Sequence, residues 1–106
     1  MNIDGFSYKL GKNKEENWKI LDEADETDIF FHLSSFPSGY LILKCGNEFP
    51  SNKTLNIAAF ICKYQTKQKN MKNIKVDCTS CSNVRKTENV GEVEYKSNRK
   101  VLRITV

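Results

Sequence analysis

Two short runs of large apolar residues, separated by a stretch rich in serine, proline and glycine, constrain the fold of this chain more than any other feature. Asp28–Leu33 reads Asp-Ile-Phe-Phe-His-Leu, and Tyr40–Lys44 reads Tyr-Leu-Ile-Leu-Lys, with Pro37 and Gly39 between them. Bulky aliphatic and aromatic residues favour strands, whereas proline and glycine favour the turn between them. The sequence therefore predicts two strands joined by a turn.

Alternation along the first of these strands predicts two different faces. Residues two apart share a face of a strand, so Asp28, Phe30 and His32 point one way, and the apolar residues between and after them point the other. His32 is the only histidine of the chain. One face is thus purely apolar, and the other combines an acid, an aromatic ring and an imidazole.

Further helices and strands are predicted on both sides of this pair. Asn13 is an N-cap candidate, and Glu16 three residues later completes a capping-box pattern. The second helix is the clearest, because apolar residues recur at helical spacing from Leu55 to Cys62. The other predicted elements are a strand at Phe6–Leu10, helices at Lys14–Ala24 and from Thr54 onward, a strand at Ile74–Cys78, a polar loop at Thr79–Asn89, and a terminal hairpin of Val90–Tyr95 with Lys100–Val106.

The order of these elements predicts an α+β fold. With mostly hairpin connections, β-α-β-β-α-β-β-β is typical of two helices packed on a mostly antiparallel sheet. A chain of 106 residues, 39% hydrophobic and 28% charged, can bury one core but not two. We therefore expect a single domain over residues 1–106, with the long last strand in a central position.

Two features of the sequence indicate the cellular compartment in which the protein is expected. No run approaches the roughly 18 apolar residues that a membrane helix needs, and no signal-peptide pattern opens the chain. Four cysteines without a secretory signal favour reduced thiols over a disulfide framework. A cytoplasmic protein is expected, with the nucleus as the alternative.

Charge is distributed unevenly along the chain. Residues 1–30 hold eight acids and four lysines, whereas residues 31–106 hold thirteen Lys or Arg residues and five acids. Five of the lysines fall in Lys63–Lys75, which contains no acid. A basic body favours a polyanionic partner, most commonly nucleic acid. Simple solubility would explain the same charge equally well.

Several short motifs, taken in their order along the chain, resemble the NFACT-R domain. They are Gly11-Lys12-Asn13 with Asn17, Asp28–His32, Pro37–Tyr40, the Ala58-Ala59 helix, and Ser82–Lys86 followed by Gly91–Val93. NFACT-R is the RNA-binding module of ribosome quality-control factors related to the nuclear export mediator factor and to fibronectin-binding protein A-like proteins. The chain is most similar to the form that occurs nearly alone in a small eukaryotic coiled-coil protein.

The resemblance covers about residues 7–106 and rests on the ordered set of motifs. It implies an RNA partner, ribosomal or transfer RNA, in translation quality control, with DNA as an alternative. Such relatives continue into a lysine-rich coiled coil where this chain stops at Val106, so a trimmed or a minimal version is expected.

Two positions depart from the family pattern. The central strand of the family reads Asp-x-Trp-x-His, and a second histidine usually opens the next strand. Here Phe30 replaces the tryptophan and Tyr40 replaces the second histidine. Any aromatic face can stack on a base, so the first change preserves stacking. The second change argues against a role that needs paired imidazoles, metal binding included.

The predicted interface combines aromatic and basic side chains. Lysine and arginine would contact phosphates, aromatic rings would stack on unpaired bases, and His32 would donate a hydrogen bond or stack. The predicted nucleic-acid-binding residues are Asp28, Phe30, His32, Tyr40, Lys44, Lys63, Lys67, Lys69, Lys72, Arg85 and Lys86.

Two other classes of function are weighed against this one. A protein-interaction module that docks on a ribosome-associated partner would make the basic charge incidental. A metal-dependent enzyme is the weakest alternative, because Cys78-x-x-Cys81 lacks a second ligand pair. Asp28 and His32 also stand about 13 Å apart by strand rise, and no nucleophile motif accompanies them. We therefore predict no catalytic residue, metal or cofactor.

Overall fold

The computed structural model describes all 106 residues and shows two helices and eight strands. Six strands form one antiparallel sheet in the order β1-β2-β4-β3-β5-β8, and the other two form a separate antiparallel ribbon. The fold is α+β, as predicted. The elements are β1 (Asn2–Ile3), β2 (Phe6–Leu10), α1 (Lys14–Asp22), β3 (Ile29–Leu33), β4 (Leu41–Leu43), α2 (Asn52–Tyr64), β5 (Lys75–Ser80), β6 (Val84–Lys86), β7 (Val93–Tyr95) and β8 (Leu102–Thr105).

Strand β3 lies between β4 and β5 near the middle of the sheet, and both of its faces are covered. The predicted pairing of β3 with β4 is confirmed, with Phe30 opposite Ile42. On one face, Phe31 and its neighbours join a core with the buried stripe of α2. On the other face, Phe30 and Ile42 join a smaller core with Ile20 of α1 and Val84 of β6. The sheet is therefore enclosed by α2 on one side and by α1 with the β6–β7 ribbon on the other.

Side-chain caps set the starts of both helices. Asn13 Oδ1 accepts from the Glu16 amide (2.8 Å), which confirms the predicted N-cap. Glu16 Oε1 accepts from the Lys12 amide (3.0 Å), one residue before the cap, so the reciprocal bond of the predicted capping box is shifted by one residue. Ser51 Oγ accepts from the Thr54 amide (3.2 Å), so α2 begins two residues earlier than predicted. Neither helix is long and apolar enough to cross a membrane.

The predicted terminal hairpin is wrong. Strand β7 pairs with β6, which lies inside the segment predicted as a polar loop, while β8 pairs with β5 at the edge of the sheet. The side chain of Asn83 redirects the chain: its Oδ1 accepts from the Ser97 amide (2.9 Å) and its Nδ2 donates to the Ser97 carbonyl (2.9 Å). The segment after β7 is thereby held against the start of β6, and it delivers β8 to β5 instead.

Candidate nucleic-acid interface

A polar cleft of about 710 Å³ lies where three connecting segments meet the first turn of α1. The β3–β4 connection forms one wall, the segment after α2 forms another, and the approach to β7 forms the third. We call this the α1 cleft. Its lining residues are Lys12, Asn13, Lys14, Asn17, His32, Pro37, Ser38, Gly39, Gln65, Thr66, Lys67, Gln68, Val90, Gly91 and Glu92.

Two glycines allow the walls of the α1 cleft to approach one another. A Cβ on Gly39 would collide with the carbonyl oxygen of Gly11, so the β3–β4 connection can lie against the end of β2 only without a side chain. Gly91 has φ +85°, and a Cβ there would collide with Lys14 Cβ. Close packing therefore requires glycine at position 39, and close packing together with a positive φ requires it at position 91.

Asn17 connects α1 to the start of β4. Its buried Oδ1 accepts from the Tyr40 amide (3.0 Å), and the Tyr40 carbonyl accepts from the Gly11 amide (2.9 Å). The Nδ2 group of Asn17 bonds to no protein acceptor and is not sealed from solvent, and the residue lines the α1 cleft. This amide can therefore donate to a ligand in the cleft.

His32 is half-buried and lines the same cleft. Its ring lies nearly parallel to Phe30 (centroids 6.3 Å apart, 13°) and edge-on to Tyr40 (5.6 Å, 77°). Burial lowers the pKa of His32 below its ordinary value, although a hydrogen bond with the Leu33 backbone and the charge of Asp77 oppose the shift. The lowered pKa favours the neutral imidazole at pH 7, which offers one donor and one acceptor rather than a positive charge.

Three exposed lysines give the α1 cleft its charge. Lys12, Lys14 and Lys67 line it and form no salt bridge within the protein, whereas Glu92 is its only carboxylate. The N-terminus of α1 adds the partial positive charge of its first-turn amides. Together these groups favour an anionic ligand.

The structure buries the residues predicted to stack on bases. Phe30 and Tyr40 are 0% and 1% exposed, because α1 and the β6–β7 ribbon cover their side of the sheet. The Tyr40 hydroxyl donates to the Gly91 carbonyl, and burial raises the pKa of Tyr40 to about 12. In this arrangement neither of these two predicted rings is accessible to a base. Both rings instead pack against His32, which lines the cleft.

Asp28 is also buried, and it acts within the protein. It accepts hydrogen bonds from Lys44 Nζ, from the Asp25 amide (2.9 Å) and from the Cys45 amide (3.1 Å). Burial alone would raise the pKa of Asp28, but these bonds outweigh it and hold the pKa below its ordinary value. Neither Asp28 nor its partner Lys44 is free to bind a ligand in this arrangement.

The remaining predicted basic residues fall into three groups. Lys63 is only 5% exposed and its Nζ donates to the Met71 carbonyl, so it is unavailable to phosphates. Lys86 pairs with Asp22 (2.7 Å) and Arg85 pairs with Glu94 (2.9 Å), so a carboxylate already balances each charge. Among the predicted lysines, those that are exposed and have no carboxylate partner are Lys67, Lys69 and Lys72.

The cysteines lie inside the protein, and none of them lines the α1 cleft. All four are buried free thiols, and burial raises the pKa of Cys45 to about 11 and that of the other three to about 12. Cys78 packs in the core beside α2, whereas Cys81 packs in the core on the other face of the sheet. No group of three or more His, Cys, Asp or Glu side chains is placed to hold a metal ion.

Of the predicted interface, the structure brings only His32 and Lys67 into the α1 cleft. Sequence reasoning missed Lys12, Lys14 and Asn17, which complete it. The signal was present, because the Gly11–Asn17 motif holds all three. From the sequence alone that segment is a helix start and a family motif, and none of its residues is among the predicted nucleic-acid-binding residues.

The chain is a small α+β domain with a lysine-lined polar cleft at a helix N-terminus, a place where an anion can bind. The comparison with known families is more specific. A family model described as the NFACT protein RNA binding domain matches residues 2–97, and the chain belongs to this family. The match begins earlier and ends earlier than the resemblance inferred from the motifs.

Two curated proteins are similar over most of this chain. The Rqc2 homolog RqcH of Bacillus subtilis is 28% identical over 100 residues, which cover 92% of this chain and 17% of RqcH. Coiled-coil domain-containing protein 25 of Bos taurus is 24% identical over 113 residues, which cover 100% of this chain and 54% of that protein. The chain thus spans about half or less of the length of these relatives.

A solved structure shows the same fold. It is the C-terminal part of the fibronectin/fibrinogen-binding protein from Streptococcus suis, with a TM-score of 0.82 and 24% sequence identity. The superposition covers 95% of this chain and 42% of that one.

Proposed function

We propose that this chain is an RNA-binding module whose principal contact surface is the α1 cleft. The observation that carries the proposal is the convergence of Lys12, Lys14 and Lys67, none of them paired with a carboxylate, on one polar cleft in a member of an RNA-binding family. All 106 residues would form one unit, because β8 lies beyond the family match and still pairs with β5.

The proposed binding has an electrostatic and a hydrogen-bonding part. The lysines and the first-turn amides of α1 attract phosphates, which gives affinity without sequence information. The Nδ2 group of Asn17 and the neutral ring of His32 can bond to a ribose hydroxyl or a base edge deeper in the cleft. The module would act by binding and not by catalysis.

Similarity to an Rqc2 homolog favours a partner among the RNAs of the ribosome. We propose ribosomal or transfer RNA as the ligand and ribosome quality control in the cytoplasm as the setting. DNA is the alternative polyanion, since phosphates attract lysines in the same way in both nucleic acids.

RNA binding at two salt concentrations tests the proposal. We expect Lys12→Gln/Lys14→Gln to lose about tenfold in affinity and to show a shallower salt dependence, because two phosphate contacts are removed. The matched control is Lys96→Gln/Lys100→Gln, which removes the same charge from two exposed lysines outside the α1 cleft.

Equal losses in the cleft variant and the control would mean that overall charge, and not the cleft, drives binding. Absence of RNA binding by the wild type at low salt would overturn the proposal. Salt-insensitive binding to a ribosome-associated protein would then favour a docking module. A second cleft of about 620 Å³, lined by the exposed Phe49 and Leu102, is the surface such a module would use.

A further inference from the structure

Two large aromatic rings lie side by side on the outer surface of α2. Phe60 and Tyr64 are 49% and 61% exposed, and their rings are stacked with centroids 6.0 Å apart and an interplanar angle of 27°. Neither residue belongs to either hydrophobic core, so the fold does not need them for packing. Adjacent exposed aromatic rings of this kind are typical of surfaces that contact a ligand.

The stretch of chain that carries these rings contains only positive charge. The sequence between Glu48 and Asp77 contains no acid and six lysines. Lys63 Nζ lies 6.0 Å from the centre of the Phe60 ring. The five other lysines of this stretch are exposed and form no salt bridge. An apolar protein surface would not require this charge, whereas a polyanion with planar groups would match both the rings and the lysines.

The aromatic pair is continuous with the α1 cleft. Tyr64 is the last residue of α2, and the next four residues, 65–68, line the cleft. Tyr64 therefore adjoins, along the chain, the segment that lines the cleft. Phe60 lies one helical turn before Tyr64 on the same helix.

We propose that Phe60 and Tyr64 form a base-stacking platform for unpaired nucleotides that flank the segment held in the α1 cleft. The proposal rests on the function proposed above. It identifies the ligand class as single-stranded RNA, because bases inside a duplex cannot leave the stack to cover a protein ring without unpairing. Stacking is tolerant of sequence, since every base presents a planar face.

The test compares a short oligouridine strand with a blunt RNA duplex. We expect Phe60→Ala/Tyr64→Ala to bind the single strand at least about fivefold more weakly, with little change for the duplex. The salt dependence should stay unchanged, because no phosphate contact is lost. Phe60→Tyr/Tyr64→Phe should restore single-strand binding, because both rings are kept. Phe49→Ala, which removes an exposed ring lining a different cleft, is the matched control.

The outcomes separate this inference from the function on which it rests. If the alanine variant binds the single strand like the wild type while Lys12→Gln/Lys14→Gln loses affinity, the stacking proposal is wrong and the proposal of RNA binding in the α1 cleft is supported. An equal loss in Phe49→Ala would also overturn the platform. If the wild type binds neither RNA, both proposals fail together. Thermal unfolding of each variant verifies that it is folded.

Discussion

The two faces of the central sheet are built differently, although the same strand supplies both. The face beneath α2 is apolar, and the core that it forms with α2 holds fifteen buried residues, including Phe31 and Leu33. The face beneath α1 has a core of only six, with polar contacts around it. There, Asn17 bonds to Tyr40, and the Tyr40 hydroxyl bonds to Gly91. The first face stabilises the protein, and the second also positions the walls of the α1 cleft.

This difference predicts how substitutions on each face divide between stability and binding. Truncation on the α2 side should lower the free energy of unfolding and leave the folded molecules able to bind RNA. Changes on the α1 side should affect binding beyond their effect on stability, because the groups that hold this side together also line the cleft.

The largest loss of unfolding free energy is expected for Phe31→Ala. Phe31 is completely buried beneath α2, and removal of a buried phenylalanine ring typically costs about 3–5 kcal/mol of unfolding free energy. Urea unfolding measures this loss. Phe49→Ala, at an 84% exposed ring, should change the value by less than about 0.5 kcal/mol. A Phe31→Ala protein that is as stable as the wild type would show that the α2 face is not the main core.

An intermediate effect is expected for Asn17→Ala. Loss of the side-chain amide leaves the buried Tyr40 N–H without its acceptor, which costs about 1–3 kcal/mol in urea unfolding. RNA affinity should fall as well, measured under conditions where the variant is fully folded. Asn56→Ala, at an exposed position of α2, is the matched control. If Asn17→Ala lost stability but kept full RNA affinity, the two faces would not differ in the way proposed.

Local sequence patterns were sufficient for the central elements. Two apolar runs around a proline and glycine turn predicted the pairing of β3 with β4, and Asn13 with Glu16 predicted the N-cap of α1, because both depend on residues close together in the chain. The ribbon of β6 and β7 was missed. It depends on hydrogen bonds between Asn83 and Ser97, fourteen residues apart, which no periodicity reveals.

Strand β1 was missed for a different reason. It is joined to β2 by Asp4-Gly5, a two-residue turn with φ of 50° and 88° that favours a tight hairpin. The turn signal was therefore in the sequence. A strand of two residues is too short to show alternation, so no pattern in the sequence identifies the strand that precedes the turn.

The site was harder to predict than the fold. Alternation showed that Phe30 and His32 share a face, but it could not show that α1 and the β6–β7 ribbon would cover that face and leave only His32 partly accessible. Burial of Lys63 was equally invisible, because it depends on the Met71 carbonyl that accepts from its ammonium group. Exposure is decided by long-range packing, and a residue's type alone does not reveal it.

The smallest expected effect is the pH dependence contributed by His32. Because burial lowers its pKa in the folded protein below the ordinary value of 6.5, the unfolded chain binds the proton more readily. The contribution of His32 to stability is therefore complete above pH 6.5 and falls as the pH drops through the folded pKa. His32→Gln keeps a polar side chain without this titration, so its unfolding free energy should vary less between pH 7.5 and pH 5 than that of the wild type. Identical pH profiles for the two proteins would show that the imidazole is not desolvated, and that His32 lies in water as freely as the exposed lysines around it.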